Sequence, residues 1–262
     1  MMKVPPNPHP RLFGKRDSLP RAEHLRMIRE ACRSIQRSQH PPSLSELAAG
    51  AELSPFYFQR IFLLWVGITP KEYAVAWQRE RLVVALTGGM QVLPAIYAAG
   101  YRSTSRVYGR LEHLLGMTPA QLRKGAHDVR ILYTLTPYRG GWLAVAATQR
   151  GICAVEIGSS PAELVGLLAA RFPRADLVEG STAMAVAVAL LTNGVSPPPG
   201  VGLPREIRIV ALRQRMWRLL DRVPLASITY SEVDRMLPQL KRITVGVDNS
   251  PSPVRGGPVA KA

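Results

Sequence analysis

Two sets of side chains in this 262-residue chain have the types and spacing to read base edges in duplex DNA. The first is Phe56, Gln59 and Arg60; the second is Thr104, Ser105, Arg106 and Arg110. Arg offers a fork of donors that matches the N7 and O6 acceptors of guanine, Gln pairs with adenine through both of its amide atoms, and Ser or Thr serves either base. Such contacts reach a base from a helix seated in the major groove, an arrangement that needs a helix to present each set and a second element to hold that helix in place.

The flanking residues build that arrangement twice. Ser54-Pro-Phe-Tyr-Phe-Gln-Arg-Ile-Phe-Leu-Leu-Trp-Val-Gly-Ile-Thr-Pro70 recurs as Ser103-Thr-Ser-Arg-Val-Tyr-Gly-Arg-Leu-Glu-His-Leu-Leu-Gly-Met-Thr-Pro119. Ser54 and Ser103, Gly67 and Gly116, and Pro70 and Pro119 are each separated by 49 positions, which means one supersecondary unit used twice. Within each copy the apolar residues fall at helical spacing, as Phe58, Ile61, Phe62 and Trp65 and as Val107, Leu111 and Leu114. Ahead of each Ser lies a shorter helical pattern, Leu44, Leu47, Ala48 or Leu93, Ile96, Tyr97, followed by Gly50-Ala51 or Ala99-Gly100. Helix, tight turn and capped second helix make a helix-turn-helix. A helical protein-binding module with merely solvated Arg and Gln is the competing reading, which the register-true pairing disfavours.

Other segments complete this all-α region. Leu25, Ile28, Cys32 and Ile35 predict a helix from Arg21 to about Gln39, closed by Pro41-Pro42. Tyr73, Trp77, Leu82 and Leu86 predict a connecting helix over 71–86, running to Gly88-Gly89. A connector of that length sets the two reading helices about one DNA turn apart, roughly 34 Å, so a single chain meets two successive major grooves. The expected state on DNA is therefore a monomer.

Composition points the same way. Lys and Arg total 34 against 18 acidic residues, a net charge of +16. A polyanion is the natural partner, because each neutralised phosphate releases condensed counterions whatever the base sequence. The longest apolar stretch, around Ala183 to Leu191, is too short to cross a bilayer, and the Pro-rich first twenty residues hold no apolar core of a secretory signal. The expectations are a disordered leader over 1–20, a cytoplasmic location and no membrane partner. Two cysteines, Cys32 and Cys153, lie in apolar patterns and lack metal-ligand spacing, so neither a metal nor a cofactor is expected.

Beyond Gly125 the texture changes. Ile131-Leu-Tyr-Thr-Leu, Trp142-Leu-Ala-Val-Ala-Ala and Ile152-Cys-Ala-Val-Glu-Ile predict three strands with hairpin turns at Gly140-Gly141 and Gly151. Helices follow over Pro161–Phe172 and Ala183–Leu191, then a Pro/Gly linker over 194–204, then a helix from Ala211 to Arg222. The last residues, 251–262, are expected to form a loose tail.

These residues resemble two known families in succession. Leu44-Ser-Glu-Leu-Ala, Ser54-Pro-Phe-Tyr-Phe-Gln-Arg-Ile-Phe, Gly67-Ile-Thr-Pro-Lys-Glu-Tyr73, Ala98-Ala-Gly-Tyr101 and Gly116-Met-Thr-Pro-Ala-Gln-Leu-Arg123 resemble the AraC-type DNA-binding domain, placed at 21–126. Ile131-Leu-Tyr, Trp142-Leu-Ala-Val-Ala, Arg150-Gly-Ile-Cys-Ala-Val-Glu-Ile-Gly158, Leu203 to Trp217 and Val223 to Val233 resemble the alkyltransferase half of Ada-type adaptive-response proteins. The resemblance implies a multidomain chain: an all-α double helix-turn-helix domain, then an α+β region made of a ribonuclease-H-like subdomain (127–193) and a truncated, degenerate winged-helix-like subdomain (205–250). It also implies that Phe56, Gln59 and Arg60, and Thr104, Ser105 and Arg106, face bases, with Gly109 where such proteins often carry Arg. Tyr230 matches the phosphate-contacting Tyr of the alkyltransferases, and Arg242 the Arg that fills the hole left by an extruded base.

The resemblance stops short of the chemistry. Alkyl acceptance in that family uses a thiolate in a Pro-Cys-His-Arg run. These 262 residues hold no such run, no His after His127 and no Cys after Cys153, and Ala226 replaces the Gly of a Pro-x-Gly turn. Nor does a cysteine-rich metal-binding module precede Arg21. The implied function is a sequence-specific regulator of transcription whose partners are double-stranded DNA and RNA polymerase, with an inactive alkyltransferase-like region and no catalytic residue. The alternative is a methylated-DNA–protein-cysteine methyltransferase, a suicide repair enzyme.

Overall fold

The computed structural model describes residues 21–101, 111–195 and 202–236. The chain divides into two compact units, one formed by residues 1–105 and 197–215 and the other by 106–196 and 216–262.

In the first unit, five helices follow one another: α1 (Arg21–Arg37), α2 (Leu44–Gly50), α3 (Pro55–Val66), α4 (Pro70–Thr87) and α5 (Val92–Ala98). Each boundary has a local cause. Ser43 and Glu46 form a reciprocal capping box at the start of α2, and Thr69 and Glu72 repeat it at the start of α4. The C-terminal carbonyls of α1 would face solvent unpaired, but the Arg81 guanidinium of α4 donates to the carbonyls of Gln36 and, at 2.8 Å, Ser38. The loop after α5 is held equally tightly. Gly100, at φ 89°, lies so near the Gln39 carbonyl that an added Cβ would stand 2.1 Å from its oxygen, and its own carbonyl accepts from Gln78 Nε2 at 3.0 Å.

The core of this unit joins Ile28, Ala31, Cys32 and Ile35 of α1 with Leu47, Ala48, Phe58, Ile61, Phe62, Val66, Tyr73 and Ala74. It also takes in Leu203, Ile207 and Ala211. The last two belong to α10 (Arg205–Leu220), which begins six residues before the Ala211 start expected from sequence. The Pro-rich approach reads as linker, yet Pro204 ends it directly before the first helical turn, where a missing N–H does no harm. Residues remote in the sequence thus close the hydrophobic core around which the first helix-turn-helix is built.

The second unit holds the helical residues 111–115 (α6), α7 (Pro119–Arg123) and a four-stranded sheet of β1 (Arg130–Tyr138), β2 (Gly141–Thr148), β3 (Gly151–Gly158) and β4 (Asp176–Glu179) in the order β3-β2-β1-β4. The first three strands form an antiparallel meander and β4 pairs parallel to β1. Helix α8 (Pro161–Arg171) packs on β2 and β3, and α9 (Thr182–Asn193) packs on β1. Strand β2 is buried from Leu143 to Thr148, which explains its unbroken apolar run in place of alternation. The strand β4 has no counterpart among the sequence expectations, because four residues with charged ends carry too little pattern. Glu156 of β3 lies buried and pairs with Arg171 of α8 at 2.6 Å. The leader 1–20, the Pro/Gly stretch at 196–201 and the tail 251–262 lie outside the described residues.

Ile207→Ala is expected to lower the stability of the first unit by about 2–5 kcal/mol, because it opens a cavity against the α1–α3 core. Urea unfolding of the whole chain measures this, and a midpoint indistinguishable from wild type would show that α10 is not part of that core.

Candidate nucleic-acid interface

Helix α2, a three-residue turn and α3 build the first presenting unit. The turn is tight: the amides of Ala51 and Leu53 both donate to the Ala48 carbonyl, at 3.1 and 3.0 Å, and Glu52 takes a left-handed φ of 53°. Ser54 then caps α3, accepting from the Tyr57 amide at 3.3 Å, and Pro55 occupies the first helical position. At the other end Gly67, at φ 78°, closes the helix with its amide on the Leu63 carbonyl at 2.8 Å.

The helix is therefore fixed at both ends, and its rotation is fixed by the core. Phe58, Ile61, Phe62 and Val66 are buried, while Phe56, Gln59 and Arg60 are exposed on the opposite arc. Trp65 is half-buried at the α1 side, with the Arg21 guanidinium 5.2 Å from its ring centroid and the His24 ring edge-on at 6.2 Å. Three sequence-expected residues, Phe56, Gln59 and Arg60, thus share one solvent-facing surface. Leu63 and Leu64 lie on that same arc, off the Phe58–Ile61–Phe62–Trp65 stripe, and the sequence gives no expectation of a base-reading role for them because they have no hydrogen-bonding group. Helix α5 shows a related departure: Ala95, Ile96 and Ala99 are buried, whereas Leu93 and Tyr97 point outward.

In the second copy, Gly116, at φ 67°, follows α6 as Gly67 follows α3, and Thr118, Pro119 and Gln121 reproduce the capped start of α4 at the start of α7. Gly116 has an added constraint, since a Cβ there would lie 2.8 Å from the Gly151 carbonyl oxygen and 2.9 Å from Cys153 Cβ. Thr104, Ser105, Arg106, Gly109 and Arg110 lie outside the described residues, as does Arg242. Tyr230 is described and exposed, beside a cap in which Thr229 donates its amide and its hydroxyl to Glu232 Oε2, each at 2.8 Å. Those two hydrogen bonds hold the Glu232 carboxyl below its ordinary value.

Neither thiol is placed for nucleophilic work. Cys32 is buried in α1, where burial pushes its thiol up to about 12 against the opposing influence of a hydrogen bond with Tyr73. Cys153 is buried in β3, and burial lifts it to about 12 although Arg171 pulls the other way. A thiol so raised holds almost no thiolate near neutrality. A concavity in the second unit brings His113 Nε2 within 3.2 Å of Asp221 Oδ2, and Ser227 on its wall turns its hydroxyl to the Pro224 carbonyl at 3.3 Å. Among the described residues no group of three or more His, Cys, Asp or Glu could hold a metal ion, and no helix is long and apolar enough to cross a membrane.

Residues 47–125 match a family model described as a helix-turn-helix domain. The chain is 34% identical over 221 residues to the regulatory protein Ada of Salmonella typhimurium, covering 81% of this chain and 61% of that protein. It is 31% identical over 224 residues to the bifunctional transcriptional activator/DNA repair enzyme Ada of Escherichia coli K12, covering 84% of this chain and 62% of that one. The chain thus spans about three fifths of the length of these relatives. No solved structure matches it.

Cys32 and Cys153 are both expected to resist a thiol reagent at pH 8 in the native protein and to react once denaturant is added. Their raised values also mean that the thiol form is favoured by folding, so stability is complete below the ordinary thiol range and falls as pH rises through it toward 12. Rapid labelling of either residue in the native state would contradict the burial described.

Proposed function

We propose that this relative of the Ada regulatory proteins is a sequence-selective DNA-binding regulator of transcription, which seats α3 in a major groove and reads bases with Phe56, Gln59 and Arg60. The observation that carries the reading is the outward arc of α3: a helix capped at both ends and pinned by Phe58, Ile61, Phe62 and Val66 turns an Arg and a Gln to solvent. The net charge of +16 supplies the sequence-independent grip on phosphates. Thr104, Ser105, Arg106 and Arg110 read the next groove along in the same way, so that one chain suffices and a dimer is not needed. Bound at its operator in the cytoplasm, the protein acts on RNA polymerase.

We read 21–126 as the DNA-binding domain, 127–193 as a ribonuclease-H-like subdomain and 205–250 as the degenerate remainder of an alkyltransferase. Support for the middle assignment comes from the β1–β2–β3 meander with β4 returning parallel through α8. The Escherichia coli relative is named as a transcriptional activator and DNA repair enzyme, which speaks for both activities in that protein. For this chain the regulator is favoured over alkyl transfer because its two thiols are buried and raised to about 12, where a thiolate acceptor is required. Tyr230 and Arg242 remain as contacts that recognise a damaged base without repairing it.

Arg60→Ala is expected to weaken binding to the preferred duplex by about 1–3 kcal/mol and to relax preference at a single base position. An equal loss on bulk DNA would show that Arg60 contacts phosphate only. Incubation with a duplex carrying O6-methylguanine is expected to leave the mass of the intact protein unchanged, and a gain of one methyl group on Cys32 or Cys153 would establish the repair reading instead.

A further inference from the structure

The exposed arc of α3 carries more apolar surface than a solvated helix face needs. Phe56 is 79% exposed, Leu64 54% and Leu63 46%. At 100° per residue these three, with Gln59 and Arg60, fill a sector of about 140°, and Phe56 and Leu63 lie at its centre with Gln59 on one edge and Arg60 and Leu64 toward the other. Single exposed apolar residues are ordinary, but three on one face of one helix mark a surface that something covers.

The polar neighbours say what. Arg60 stands between Phe56 and Leu64 in the sector, a combination that suits a protein interface as well, but the chain's net charge of +16 points to a polyanion as what covers this face. The floor of a major groove offers both chemistries at once: guanine acceptors for the guanidinium, and one apolar group, the C5-methyl of thymine, for aromatic and aliphatic side chains. Along the helix, Phe56 and Leu63 are seven residues and therefore about 10 Å apart, which corresponds to about three base steps of 3.4 Å when the helix runs along the duplex axis.

We infer that α3 reads thymine as well as a hydrogen-bonding base: Phe56 and Leu63 pack on C5-methyl groups roughly three base steps apart, flanking the base to which Arg60 donates. The inference rests on α3 lying in the major groove, and it adds a specificity residue, Leu63, to those expected from the sequence. Gln59 and Arg60 fix where the helix sits, while the two apolar side chains distinguish thymine from cytosine by a methyl group alone.

The test begins with selection of a preferred duplex by the whole chain from random sequence. Each thymine in that duplex is then replaced singly by deoxyuridine, which keeps the pairing edge and removes the methyl. Loss of one buried methyl corresponds to about a fourfold weaker affinity. Wild-type protein is expected to show such a loss at two positions about three steps apart. Leu63→Ala is expected to erase the thymine–deoxyuridine difference at one of them and Phe56→Ala at the other, with the guanine preference intact in both. Both residues are exposed, so the variants test contact and not folding, which circular dichroism of each verifies. A sequence selected by wild type but bound equally with deoxyuridine at every position overturns the thymine inference alone and leaves the arc to a protein partner. Failure to select any sequence overturns the regulator reading and the inference together.

Discussion

Everything proposed for this chain depends on how α3 is oriented about its own axis. Phe58, Ile61, Phe62 and Val66 enter a core shared with Ile28, Cys32 and Ile35 of α1, and burying four large side chains on one stripe leaves the helix a single stable orientation. The opposite arc is thereby committed to solvent, whatever residues it holds. Ser54 and Gly67 fix the two ends, so the arc is held in rotation and in length alike. A helix held in this way needs no ordering of its backbone to present that arc, although exposed side chains such as Gln59 and Arg60 still lose rotamer freedom in any contact they make.

The same core explains why the first unit is not one continuous stretch of the sequence. Leu203, Ile207 and Ala211 close the first unit from beyond the sheet-bearing region, and Gly202 lies where an added Cβ would meet Leu25. The helix-turn-helix thus draws stability from residues about 150 positions further along in the sequence.

Much of this was legible in the sequence, and the departures have physical causes. The 49-residue spacing of Gly67 and Gly116 and of Pro70 and Pro119 predicts one unit used twice, and the structure shows the same geometry, a left-handed helix end followed by a capped new start, at Gly67–Pro70 and Gly116–Pro119. Caps and turns act through neighbours in the chain, so their residues declare themselves. The early start of α10, the short strand β4 and the outward placement of Leu93 and Tyr97 did not declare themselves. Each depends on which long-range partner covers a residue, and hydrophobicity alone does not distinguish an apolar side chain in a core from one turned to a ligand. The burial of the thiols shows the limit from the other side: Cys32 and Cys153 read as apolar in pattern, but the surroundings that bury them and raise their values are assembled out of α1, α4, the sheet and α8.

The central claim is that affinity for DNA has a base-reading component in addition to the charge-driven one. The ratio of affinities for the selected duplex and for bulk DNA, measured with the whole chain over a range of salt concentrations, separates the two most directly. Phosphate contacts weaken on both ligands as salt rises. The account expects both affinities to fall while the selected duplex stays strongly preferred throughout; a preference that vanishes as salt rises, with the two affinities converging, would contradict it.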